Sequence, residues 1–142
     1  MFFVKNTDTI MGGIDMTFIQ KVESMSRGIV VLDNNIESLE SALQKRNIRV
    51  VIPPAGMPDN QIIEKLLPYR IFITNNVRHF TSDASSFEYG IIEVPMAAMA
   101  DPVNAAKMIS DAISQYALWS KKHGFLVTLS LSNKATYKEI ID

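Results

Sequence analysis

Unbroken apolar runs alternate along the chain with segments whose apolar residues recur every three or four positions. "GIVVLD" (residues 28–33), "IRVVIPP" (48–54), "RIFIT" (70–74) and "GIIEVP" (90–95) have the continuous hydrophobicity of strands buried on both faces. After the first run, "NNIESLESALQKR" places Ile36, Leu39 and Leu43 on one stripe, which predicts an amphipathic helix. "DNQIIEKLLP" predicts another, bounded by Pro58 and Pro68. The longest helical pattern is "DPVNAAKMISDAISQYALWSKKHG", with Asp101 as N-cap and Pro102 at the first helical position. Its expected buried face is Val103, Ala106, Ile109, Ala112, Ile113, Tyr116 and Ala117. Lys121, Lys122 and His123 precede Gly124 and suit the negative end of the helix dipole. "FLVTLSL", the turn "SNK" and "ATYKEI" predict a terminal strand or hairpin.

Alternating strands and helices predict an α/β fold, a three-layer α/β/α sandwich around a mainly parallel sheet. Sites in such folds form at the carboxyl ends of strands, near a switch in strand order. Residues 1–27 fit this scheme less well and read as an N-terminal extension, leaving 28–142 as the domain. Within the extension, Asp15 caps a short pattern with Met16, Ile19, Val22 and Met25 on one side, a surface for the domain or a partner. Met25 is also a possible natural start.

Composition narrows the chemistry. At 142 residues, 47% apolar and 20% charged, the chain is long enough for one sizeable core. A formal charge of −1 gives no general attraction to nucleic acid, so RNA contact needs a local basic patch. The absence of cysteine excludes disulfides, thiolate catalysis and cysteine-based zinc sites. Two histidines, His79 and His123, argue against a multi-histidine metal site. No apolar stretch reaches the roughly 18 residues a membrane span needs, and the N-terminus lacks a signal-peptide pattern. The expectation is a soluble, cytoplasmic protein. The eight methionines and Trp119 read as packing residues, and Lys45, Arg46 and Arg49 as a solvated face.

Three polar clusters follow strands or open helices: Asp33-Asn34-Asn35, Asp59-Asn60 and Thr74-Asn75-Asn76. If their loops share one edge of the sheet, Asp33, Asp59 and Asn76 converge as hard oxygen donors suited to Mg²⁺ or Mn²⁺. Each also has a structural reading. Asp33 and Asp59 can cap the helices that follow them, Asn76 can hold a turn, and His79 can be a surface histidine.

These same segments carry a resemblance. "VVLDNNI" is similar to the opening of PIN domains, in which an aspartate ends the first strand. "MPDNQIIEKL" resembles their later aspartate opening an apolar helix, and "FITNNVRHF" the Thr-x-Asn-x-x-Asp-Phe signature of VapC-type toxin ribonucleases. The similarity covers about residues 28–132 and extends to short PIN-like proteins of toxin–antitoxin pairs. It implies a PIN-like fold and a Mg²⁺- or Mn²⁺-dependent endoribonuclease, with RNA as substrate, an antitoxin protein as partner and homodimers as a common state. Asp33 and Asp59 would hold the metal and Asn76 would complete the catalytic set. Thr74, Asn75 and Asp83 would support it. The chain departs from the pattern in having no clear glutamate between the first two aspartates, and in carrying His79 where the signature has its acid. The resemblance also admits a catalytically weakened or inactive relative that serves as an RNA- or protein-binding module. A receiver-like α/β fold is a more distant alternative, disfavoured by the asparagines after "RIFIT" and the proline after "GIIEV".

Overall fold

A computed structural model describes residues 29–116 and 124–140. The apolar runs become strands β1 (Ile29–Leu32), β2 (Arg49–Val51), β3 (Ile71–Thr74) and β4 (Gly90–Glu93), followed by β5 (Gly124–Leu129) and β6 (Ala135–Ile140). They form one six-stranded sheet in the order β2-β1-β3-β4-β5-β6. The first five strands run parallel, and β6 pairs antiparallel to β5. The order of the parallel strands, 2-1-3-4-5, is that of a doubly wound sheet whose direction of winding switches beside β1.

Burial explains why these strands are apolar without a break. Every residue of β3 is buried, as are Val30, Val31 and Leu32 of β1. Alternate side chains enter two separate cores, one on each face of the sheet. On the first face lie Val30, Leu32, Ile71, Ile73, Ile92, Phe125 and Val127; on the second lie Val31, Phe72 and Ile91. Each fully buried aliphatic side chain contributes on the order of 1.5–3 kcal/mol, so the paired cores dominate stability. The edge strand β6 shows the opposite pattern, being exposed or half-buried throughout.

The first face is covered by residues 34–44 and by the long helix. Asn34–Leu39 form a 3-10 segment and Glu40–Gln44 continue as α1. The sequence predicts one continuous helix here; the structure splits it, with Ile36 at φ −127° and ψ 28°. The Asp33 carboxylate accepts a hydrogen bond from the Asn35 amide at 3.2 Å, a tight local turn that competes with α-helical pairing. Ile36, Leu39 and Leu43 are nevertheless all fully buried, as their spacing requires. The long helix, α4, spans Pro102–Tyr116 among the described residues and follows a 3-10 turn at Met96–Ala100. Asp101 caps it: its carboxylate accepts from the Asn104 amide at 3.2 Å. Val103, expected on the buried face, is 69% exposed; Ala105 and Met108 are buried in addition to Ala106, Ile109, Ala112 and Ile113. The expected C-terminal turn at Lys121–His123, Trp119 and the extension 1–27 lie outside the described residues.

Two helices cover the second face. In chain order they are α2 (Asp59–Lys65), which contributes Ile62 and Ile63, and α3 (Ala84–Phe87), which contributes Ala84. Phe80 and Tyr89 complete that core, and the Tyr89 hydroxyl donates to the Phe80 carbonyl. Burial, and then the charge of Asp83, push the Tyr89 hydroxyl well above the usual phenol range. Close packing between strands is sharpest at Gly90: a Cβ there would come within 2.1 Å of the Phe125 ring on the paired strand. No helix among the described residues is long and apolar enough to cross a membrane.

Candidate functional site

The carboxyl ends of β1 and β3 meet at the switch point, and Thr74 ties them together. The register pairs Leu32 with Ile73, so Asp33 and Thr74 leave their strands side by side on the second face. The Asp33 amide donates to the Ile73 carbonyl at 2.9 Å. Thr74 is fully buried, and its hydroxyl donates to Asp33 Oδ2 at 2.6 Å while accepting from the Asn76 amide at 3.0 Å. The Asn76 carbonyl lies 3.1 Å from the same hydroxyl, but one hydroxyl carries one proton and the carboxylate is the shorter, charged acceptor. One side chain thus orients the acid of the first loop and shapes the third.

The third loop is built from local hydrogen bonds. Asn76 Oδ1 accepts from the Arg78 amide at 3.1 Å, and the Phe80 amide closes a turn on the Val77 carbonyl at 2.9 Å. Phe80 then anchors the loop in the core, its ring 4.5 Å from that of Phe72. Arg78 and His79, between these fixed points, are exposed.

Asp59 comes from a different direction, at the first position of α2. The cap position belongs to Pro58, whose backbone is extended, and no side chain caps this helix. Asp59 is therefore exposed without a capping bond, placed where the helix dipole favours negative charge.

The three loops share a cavity. Asp33, Asn35, Asp59, Asn76 and His79 form its polar lining, and Ile62, Phe72 and Phe80 its apolar lining, around about 110 Å³. A single water needs on the order of 10–15 Å³ measured in this way, so several waters or one small anion fit. No family model, curated protein or solved structure matches the chain.

Of the residues singled out from the sequence, Asp33, Asp59 and Asn76 line this one cavity, and Thr74 stands behind Asp33. Asn75 and Asp83 are not in its lining. The Asn75 amide turns to the sulfur of Met96, and its Oδ1 is buried without a partner among the described residues. Met96 itself is 59% exposed, and so is not the packing residue expected of it. Asp83 sits at the entry to α3 and acts electrostatically on Tyr89. Lys45, Arg46 and Arg49 are exposed, as a solvated face requires.

Two polar residues escaped sequence reasoning. Glu93 pairs in register with Thr74, and Thr128 with Glu93; the Thr128 hydroxyl donates to Glu93 Oε1 at 3.3 Å. They extend the polar row of strand ends beyond Asp33 and Thr74. The available signal was a lone acid inside the apolar run "GIIEVP".

A divalent ion makes specific demands. Among the described residues, no three aspartate, glutamate, histidine or cysteine side chains gather closely enough to hold a metal between them. A closed zinc-type site therefore does not fit. An ion held by one or two carboxylates and several waters, the usual habit of Mg²⁺, does not demand such a cluster. Both Asp33 oxygens already accept one hydrogen bond each, yet a carboxylate offers about four acceptor directions and retains capacity.

Proposed function

We propose that the chain is a PIN-like, Mg²⁺- or Mn²⁺-dependent endoribonuclease. The observation that supports this most is the shared cavity: Asp33 and Asn76, from two loops, and Asp59, from the start of α2, line one space of about 110 Å³ at the switch point of the sheet. Asp33 and Asp59 would hold the ion, which would supply a more acidic water and offset negative charge on the phosphate. Thr74 fixes the rotamer of Asp33. Asn76 orients a water or the phosphate from the third loop. The apolar lining keeps bulk water from one side, which strengthens the charge interactions above it. Exposed Arg78, beside the site, supplies local positive charge that the chain as a whole lacks. RNA is the substrate, an antitoxin protein a partner, and a homodimer the assembled form.

The test is cleavage of single-stranded RNA by the purified full chain with Mn²⁺ or Mg²⁺. Activity that vanishes with chelator and falls at least about 100-fold in both Asp33→Asn and Asp59→Asn supports the reading. Cleavage that persists in either variant points to a contaminating nuclease and removes the support.

The sparse donor set favours a second reading: a PIN-like module that binds RNA or a protein without cutting. It predicts RNA retention in a mobility-shift assay that is indifferent to chelator and to Asp33→Asn.

A further inference from the structure

We propose that His79 is the proton donor to the leaving oxygen of the cleaved phosphodiester, an inference that rests on the nuclease reading above. His79 stands where the resembled signature has its acid, and the structure puts it in the lining of the same cavity as Asp33 and Asp59. It does not join them as a third ligand: no cluster of three metal-binding side chains forms among the described residues. The imidazole thus shares the cavity with the two carboxylates outside any three-residue metal cluster. Its backbone is held firmly despite the exposure of the ring. Phe80, the next residue, is buried against Phe72 and receives the Tyr89 hydroxyl, and Asn76 braces the turn from the other side.

The chemistry calls for such a group. A water oxygen attacks phosphorus and gives up a proton to solvent. The bond from phosphorus to the leaving ribose oxygen breaks, and its electron pair stays on that oxygen. An alkoxide is a poor leaving group, and a proton delivered from the His79 imidazolium makes it an alcohol. The neutral ring then takes a proton from solvent, so one water is consumed and one phosphomonoester and one hydroxyl are formed. Of the side chains lining the cavity, imidazole alone carries one ring nitrogen that can give a proton and one that can take it.

The experiment compares wild-type full chain with His79→Gln and Asp33→Asn. Two RNAs are used: one with an ordinary phosphodiester, and one with sulfur replacing the bridging oxygen that the wild type expels. A thiolate leaves without protonation, so it bypasses a missing acid. The expected result is a drop in kcat of about 100-fold for His79→Gln on ordinary RNA, with KM changed less than about threefold, and a drop below about fivefold on the sulfur substrate. Asp33→Asn loses activity on both. Equal loss by His79→Gln on the two substrates overturns the assignment, because the ring then acts in binding or positioning. Wild-type activity in His79→Gln, with Asp33→Asn inactive, overturns it too and leaves the nuclease reading standing. A wild type that cleaves neither RNA overturns both.

Discussion

Replacing Thr74 by valine keeps the shape of a fully buried side chain and deletes one hydroxyl. That hydroxyl donates to Asp33 at 2.6 Å and accepts from the Asn76 amide at 3.0 Å, so its removal strands a carboxylate oxygen and a backbone donor together. A hydrogen bond to a charged group is worth about 1.5–3 kcal/mol and a neutral one about 1 kcal/mol. Asp33 is only half-buried and Asn76 is exposed, so water recovers part of this. The expected net cost is about 2 kcal/mol. With a urea m-value of about 2 kcal/mol/M, the unfolding midpoint drops by about 1 M. Thr74→Ser is the control. It keeps the hydroxyl and loses one methyl, costing about 0.8 kcal/mol, or about 0.4 M. A double-mutant cycle with Asp33→Ala should give a coupling of at least about 1 kcal/mol. Urea melts followed by circular dichroism decide the matter. If Thr74→Val is as stable as Thr74→Ser, or if the cycle shows no coupling, the hydroxyl does not hold the two strand ends together.

Asp59→Asn should leave stability within about 0.5 kcal/mol of wild type, because the side chain makes no capping bond, while Mn²⁺ affinity by calorimetry falls at least about tenfold. A larger loss of stability with unchanged metal affinity reverses the roles assigned to it. Gly90→Ala forces a methyl into the buried Phe125 ring and should cost about 3 kcal/mol by urea melting, with partial recovery in Gly90→Ala/Phe125→Leu. No recovery in the double variant places the strain elsewhere. The raised Tyr89 hydroxyl links stability to alkaline pH: the unfolded tyrosine ionises near pH 10 while the folded one stays protonated. Its contribution is therefore full below about pH 10 and is lost as pH rises above it. Tyr89→Phe should be less stable at pH 7 and should lose less on going to pH 11, and parallel pH–stability curves contradict this.

Much of the sheet could be read from the chain because a parallel sheet is buried on both sides. "IVVL", "IFIT" and "GII" had no polar interruption to disguise them, and the prolines and aspartates marked where helices begin. The helix after β1 was harder, since its stripe of Ile36, Leu39 and Leu43 serves a 3-10 turn as well as an α-helix. The four-residue α3 and the Met96–Ala100 turn were missed, being too short to show a period. In the site, Asp33, Asp59 and Asn76 could be selected by residue type and by following strands or opening a helix. Asn75 had the same qualifications on paper, and Asp83 entered only through the resemblance. What separates them is the direction each side chain takes from its loop, set by the Thr74 and Asn76 hydrogen bonds and by the anchor at Phe80. No linear pattern encodes those angles.

The pairing of Leu32 with Ile73 has a consequence for how this chain tolerates change. Odd and even positions of a strand look to opposite sides, so adding or deleting one residue within β3 would swap Thr74 to the side away from Asp33. Such a shift trades one apolar residue for another along most of β3, isoleucine for Phe72 and the reverse. Asp33 would lose its hydroxyl at once. Counting parity therefore protects the cavity more strictly than it protects the hydrophobic layers beneath, and length variation should gather in the loops rather than in that strand.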